Sequence, residues 1–136
     1  MALLDTTFLI DLIRDAKAKR VGAASVKLDD LTQRGENLRI TVFTIGELYV
    51  GVAKGTKPQK EQQAVEHCLA LFETVGFEET TAKLFGMLVG ALEKQGQVIG
   101  DIDALIASVA LEQDETLVTR NVSHFQRVPG LRVEGY

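Results

Sequence analysis

A chain of 136 residues, 46% hydrophobic and 25% charged, has the composition of one globular domain and buries about two thirds of its unfolded surface. Its net charge of −4 excludes a simple phosphate-coating nucleic-acid binder, which is basic. The single cysteine, Cys68, excludes an internal disulfide, and neither a membrane span nor a secretory signal is legible, so a reducing, cytoplasmic location is expected.

Leu3 and Leu4 read as a short buried strand ending at Asp5. Phe8, Leu9, Leu12 and Ile13 then recur at helical spacing, with Thr6 or Thr7 as the cap. A second helix is expected over about 16–33, stopped by Gly35. Leu38 to Thr41 is the next strand. Ile45, Leu48, Tyr49 and Val52 mark a helix closed by Lys54-Gly55. Pro58 opens another, which turns Val65, Cys68, Leu69 and Phe72 inward. Thr74 to Phe77 reads as a short strand. Leu84, Met87, Leu88, Ala91 and Leu92 form an amphipathic stripe that ends by Gly96. A helix over about 102–112 places Ile102, Leu105, Ile106 and Val109 inward. Thr116 to Thr119 and Leu131 to Glu134 are the last strands, the final one at an edge. Strands alternating with helices predict a single α/β domain over 1–136, with a central, mostly parallel sheet of four to five strands and helices on both faces.

Several polar residues follow buried segments. Asp5 ends the first strand, Glu47 comes after Ile40 to Phe43, Asp101 and Asp103 open the late helix, and Asn121 follows the strand at Thr116. Singly, each acid has an ordinary use. Asp5 and Asp101 suit helix caps, Thr44-Ile45-Gly46-Glu47 fits a capping box, and Asp103 suits a helix dipole. Those uses do not explain convergence. In a parallel sheet the strand ends line one crevice, which gathers Asp5, Glu47 and Asp103. Close carboxylates repel, and some protonate unless a cation intervenes. Mg²⁺ or Mn²⁺ suits all-oxygen ligands; with one thiol and with His67 and His124 far apart, zinc does not. A carboxylate-held Mg²⁺ serves phosphate chemistry, in phosphatases and nucleases alike.

With these residues goes a resemblance that runs nearly end to end. The chain resembles the PIN-domain ribonucleases, and among them the VapC-type toxins of toxin–antitoxin pairs. It does so at Leu4-Asp5-Thr6-Thr7, at Thr44-Ile45-Gly46-Glu47-Leu48 and at Ile99-Gly100-Asp101-Ile102-Asp103-Ala104-Leu105-Ile106-Ala107. It does so again at Leu117-Val118-Thr119-Arg120-Asn121, His124-Phe125 and Val128-Pro129-Gly130-Leu131. The resemblance implies an endoribonuclease dependent on Mg²⁺, with Mn²⁺ as a substitute, in which a metal-activated water attacks the phosphodiester of single-stranded or loop RNA. Asp5, Glu47 and Asp103 take the places of the catalytic metal ligands, with Asp101 an auxiliary ligand or a cap. Asn121 stands where many PIN domains carry a fourth acid, which puts a second metal in doubt and leaves the amide to orient water or a carboxylate. Thr7 and Thr119 would support the acids or bond local backbone. Arg14, Lys17, Arg20 and Arg120 become candidates for the RNA track, with Lys54, Lys57 and Lys60 a further basic cluster. A homodimer and a cognate VapB-type antitoxin are the implied partners, the latter seated on apolar helix surface in the first half of the chain.

Other readings compete. A PIN-like module that binds RNA or protein without cutting draws support from Asn121. A receiver-like phosphoryl acceptor needs a lysine after a late strand, and Thr119-Arg120-Asn121 offers none. A DNA-structure nuclease with this core needs longer insertions than 136 residues allow.

Overall fold

Three apolar residues make the middle of the sheet. In the computed structural model, which describes residues 1–136, strand β1 is Ala2–Leu4. Ala2 and Leu4 face one side and Leu3 the other, as strand alternation requires. The remaining strands are β2 (Leu38–Thr41), β3 (Glu73–Val75), β4 (Thr116–Val118) and β5 (Val133–Glu134). All pairings are parallel, in the order β3-β2-β1-β4-β5. The chain builds outward from β1 to β3, then returns to the other side of β1 for β4 and β5. The boundary between β1 and β4 is therefore the topological switch point, where open sheets bind ligands.

Seven helices cover the sheet: α1 (Thr6–Ala18), α2 (Ala23–Gln33), α3 (Val42–Lys54), α4 (Pro58–Leu69), α5 (Glu79–Lys94), α6 (Asp101–Glu112) and α7 (Val122–Phe125). One core joins α1 to α4 with Leu4, Ile40 and Val118 through Phe8, Leu9, Leu31, Leu48 and Val65. The other packs α5 and α6 on Leu3, Val75 and Leu117 through Leu88, Leu92, Ile106 and Phe125. The α/β architecture with helices on both faces is the one the sequence predicts, with five strands. Cys68 is buried in the first core. No helix is long and apolar enough to cross a membrane.

Three expectations are corrected. The break between the first two helices, expected near residue 16, lies at 19–22, because the backbone at Lys19 turns into the left-handed region (φ 50°, ψ 46°) and Gly22 opens α2. Met87 does not join the stripe on α5 but is 76% exposed. Ile102 likewise lies on the outer side of α6, beside Val42 and Val50. Both were placed inward by spacing alone, which cannot distinguish the margin of an apolar face from its centre.

Candidate active site

Two threonine hydroxyls fix the first carboxylate. Asp5 follows β1 at the N-cap position of α1, yet its side chain makes no cap hydrogen bond. Its Oδ2 instead accepts from Thr119 Oγ1 at 2.8 Å and from Thr7 Oγ1 at 3.0 Å. Thr119 directly follows β4, so this bond spans the switch point over 114 residues. The Thr119 oxygen in turn accepts the Asn121 N–H at 3.0 Å, which fixes the direction of its own proton. Asp5 is only 2% exposed, and both threonine bonds fall on Oδ2. Burial foremost pushes its carboxyl above the ordinary range; the Thr119 and Thr7 hydrogen bonds oppose that, and the charge of Asp103 adds to it.

Glu47 arrives from the second turn of α3. That helix starts directly after β2 because Thr41 caps it, its side chain accepting the Thr44 N–H at 3.2 Å. The capping box on Thr44 does not form, and Glu47 is free to point at α1. Thr6 Oγ1 donates to its Oε1 at 2.6 Å. Having given its only proton there, Thr6 accepts from Thr44 Oγ1 at 3.0 Å. Burial, and then the charges of Asp103 and Asp5, raise the Glu47 carboxyl, while the Thr6 bond lowers it.

The third acid comes from the first turn of α6. Gly100 is the N-cap there, so Asp101 is not the cap but the first helical residue, and it is exposed. Asp103 is half-buried, with Oδ2 at 2.9 Å from His124 Nε2. The charge of Asp103 acts on both Asp5 and Glu47, and that of Asp5 on Glu47, which places the three in one electrostatic neighbourhood. With Asp103 turned to His124, no three acidic or imidazole side chains close into a metal cage in this arrangement. The donor chemistry nonetheless suits a hard cation: carboxylate oxygens that repel one another, among them Asp5 Oδ1, which the threonine bonds leave free of hydroxyls.

The side chains of the remaining predicted residues make no bond to the three acids. Asn121 is exposed at the N-cap of α7 without a side-chain cap bond. Lys17 pairs with Glu61 at 2.5 Å, Arg20 with Asp15 at 3.3 Å, and Arg14 lies 3.8 Å from Asp11. Arg120 donates Nη1 to both oxygens of Asp11. Sequence reading gave no role to Thr6, Thr44 or His124 in holding Glu47 and Asp103. Thr6 appeared as a cap candidate, and nothing local links His124 to Asp103.

Fold and site together define an open parallel α/β domain whose acids gather where the strand order reverses. The PIN domain model matches residues 2–131, and the chain belongs to that family. Among curated proteins it is similar to Ribonuclease VapC2 of Rickettsia felis, 33% identical over 107 residues, covering 79% of this chain and 80% of the relative. It is also similar to the tRNA(fMet)-specific endonuclease VapC of Salmonella typhimurium, 29% identical over 97 residues, covering 71% and 74%. Among solved structures, VapBC2 from Rickettsia felis, bound to a DNA fragment from their promoter, superposes with a TM-score of 0.88 at 28% identity. That match covers 99% of this chain and 98% of the other. The resemblance to VapC-type proteins read from the sequence is borne out.

Proposed function

We infer that the protein is the endoribonuclease toxin of a type II toxin–antitoxin pair, and that its activity depends on Mg²⁺ or Mn²⁺. The observation that carries the reading is the hydroxyl-locked Asp5 at the switch point, sharing its electrostatic neighbourhood with Glu47 and Asp103. Family membership and the ribonuclease relatives give that site its chemistry.

Asp5, Glu47 and Asp103 would hold the ion, with Asp101 at the rim. When bound, a divalent cation supplies Lewis acidity for a water nucleophile and for charge on the phosphate. The protein's part is preorganisation. Thr7 and Thr119 commit one oxygen of Asp5 and leave Oδ1 for the ligand. Thr6 commits Oε1 of Glu47, which leaves Oε2 to take a proton from the attacking water. Asn121, beside Thr119, is the candidate to orient water without adding charge.

A cognate antitoxin of VapB type is the partner this reading requires, as in the VapBC complexes that the chain resembles. An apolar groove of about 480 Å³ between α1, α2 and α4, lined by Leu12, Ile13, Leu28 and Leu71, supports such an interaction. On α3, Val52 is buried, Tyr49 packs against the core, and Val50 is exposed. Exposed Val42, Val50 and Ile102 around a second groove support a homodimer.

The test is incubation of total cellular RNA with purified, antitoxin-free protein in Mg²⁺, Mn²⁺ or EDTA, beside Asp5→Asn. Discrete fragments are expected with either metal, and none with EDTA or the variant. Intact RNA throughout, from folded protein, would leave a binding-only PIN domain as the better description.

A further inference from the structure

The basic residues near the site are not equivalent. Arg14 and Lys17 lie along α1 and Arg20 just past its end, while Arg120 follows Thr119 on the catalytic edge itself. Its backbone N–H reaches Thr7 Oγ1 at 3.4 Å, and Thr7 and Thr119 are the two hydroxyls that hold Asp5. The half-exposed guanidinium uses a single nitrogen on the protein. Nη1 lies 2.9 and 3.1 Å from the two Asp11 oxygens, and neither Nε nor Nη2 takes a protein partner.

Asp11 is itself held from the other side. Its Oδ2 accepts the Tyr136 hydroxyl at 2.7 Å. The Tyr136 ring stands edge-on to the fully buried Phe8, with centroids 5.0 Å apart and planes at 88°. Burial, then the hydrogen bond to Asp11, pushes the phenol far above its ordinary range, so the hydroxyl remains a donor. Residues 11, 120 and 136 are thus tied across 109 and 125 positions of chain. An exposed ion pair contributes little stability, and an acid facing RNA repels phosphate. Both features make sense if Asp11 serves to orient an arginine whose other donors are left for a ligand.

We propose that Asp11 and Tyr136 are positioning residues that hold Arg120 beside Asp5, its Nε and Nη2 donors binding a backbone phosphate of single-stranded RNA next to the scissile bond. The proposal rests on the ribonuclease reading of the same site and adds to it a substrate-holding element. The guanidinium fork matches phosphate oxygens, and a planar group anchored at one nitrogen loses less freedom when it binds.

The test is filter binding of a randomised single-stranded RNA in EDTA over a salt series, with cleavage of total RNA in Mg²⁺ followed in parallel. Wild type, Arg120→Ala, Tyr136→Phe and the double variant are compared. Arg120→Ala is expected to bind about tenfold more weakly, with a shallower salt dependence, as loss of one charge-assisted phosphate contact predicts. In cleavage its loss falls on KM more than on kcat. Tyr136→Phe, which removes only a hydroxyl, shows a smaller loss of the same kind that vanishes in the Arg120→Ala background. Wild-type affinity and salt dependence in Arg120→Ala would overturn the proposal, as would a Tyr136→Phe loss that persists undiminished without Arg120. If wild type cuts RNA while either holds, this proposal fails and the ribonuclease reading stands. If wild type neither binds nor cuts RNA, the ribonuclease reading fails and this proposal with it.

Discussion

Asp5 occupies a helix-capping position without capping, and the difference is chemical. A capping carboxylate is satisfied by the N–H groups of N2 or N3, whereas this one is held on Oδ2 by two hydroxyls, Thr7 in the first turn of α1 and Thr119 just past β4. Asp5→Asn or Asp103→Asn is expected to abolish RNA cleavage, and Asp101→Asn to retain most of it, since Asp101 is exposed at the first position of α6. Equal losses at 101 and 103 would make Asp101 a direct ligand. Stability moves the other way. Burial, and the charge of Asp103, raise the folded-state carboxyl of Asp5, so the folded protein binds more protons than the unfolded chain just above the ordinary aspartate range. The group's contribution is fully present below the unfolded value and is lost as pH rises through the folded one. In EDTA, Asp5→Asn is therefore expected to melt above wild type near neutral pH, with the gain shrinking as pH approaches the ordinary aspartate range. A variant that melts below wild type at neutral pH would show that its threonine bonds outweigh its repulsion. Asp5 and Glu47 were legible as acids beyond apolar strands and Asp103 as an acid opening a helix, positions that a parallel sheet turns into neighbours. Their supports were not. Thr44 and Glu47 have the spacing of a capping box, which hides that Thr41 is the cap, and Asp103 meets His124 across 21 residues without a local signal.

The elements themselves end in a repeated device that the sequence discloses only in part. After α2, the N–H of Glu36 bonds to the carbonyl of Leu31 and that of Gly35 to Thr32, with Gly35 at φ 72°. The same pair of bonds closes α5 around Gly96, α1 around Lys19 and α6 around Asp114. Gly35 and Gly96 announce their turns because glycine adopts positive φ without strain. Lys19 does not, so the end of α1 was invisible and the break between the first two helices was placed some residues too early. Lys19→Gly is accordingly expected to stabilise the protein by about 0.5–1 kcal/mol, measured by urea denaturation; destabilisation would mean that the side chain contributes more than its backbone strain costs. The turn has a second fastening. Asp15 accepts from Ser25 Oγ at 2.8 Å and from Arg20 Nε at 3.3 Å, and a Cβ at Gly22 would come within 2.4 Å of its carboxylate. The Ser25 hydroxyl foremost, then the Ser25 N–H and Arg20, hold the Asp15 carboxyl below its ordinary value against the opposing effect of burial. A depressed carboxyl contributes stability above its unfolded pKa, and that contribution is lost as pH falls through the folded value. Asp15→Asn should thus lower the melting temperature at neutral pH, and the gap to wild type should close in acid. A gap independent of pH would assign the role to shape rather than charge.

At the scale of the whole molecule, a domain carrying a net charge of −4 concentrates three repelling carboxylates at one sheet edge. Such a site costs the metal-free fold stability, and a cation that binds only the folded state restores it by mass action. At a concentration one hundred times its dissociation constant, a single bound ion adds about 2.7 kcal/mol. For a chain of this length that corresponds to a rise in melting temperature of roughly 8–12 °C, since 1 kcal/mol moves a domain of comparable size by a few degrees. A Mn²⁺ or Mg²⁺ titration followed by thermal denaturation should show this rise in the wild type and a flat response in Asp103→Asn. General screening of the acidic surface stabilises both proteins alike, so matched ionic strength in NaCl separates it from binding. The rise should also fade in acid, where protonation of the raised Asp5 and Glu47 carboxyls removes the ligands. Equal responses in the two proteins would place any bound ion elsewhere, and the three carboxylates would then need another cation, such as an arginine or lysine from a partner, to explain why the fold keeps them together.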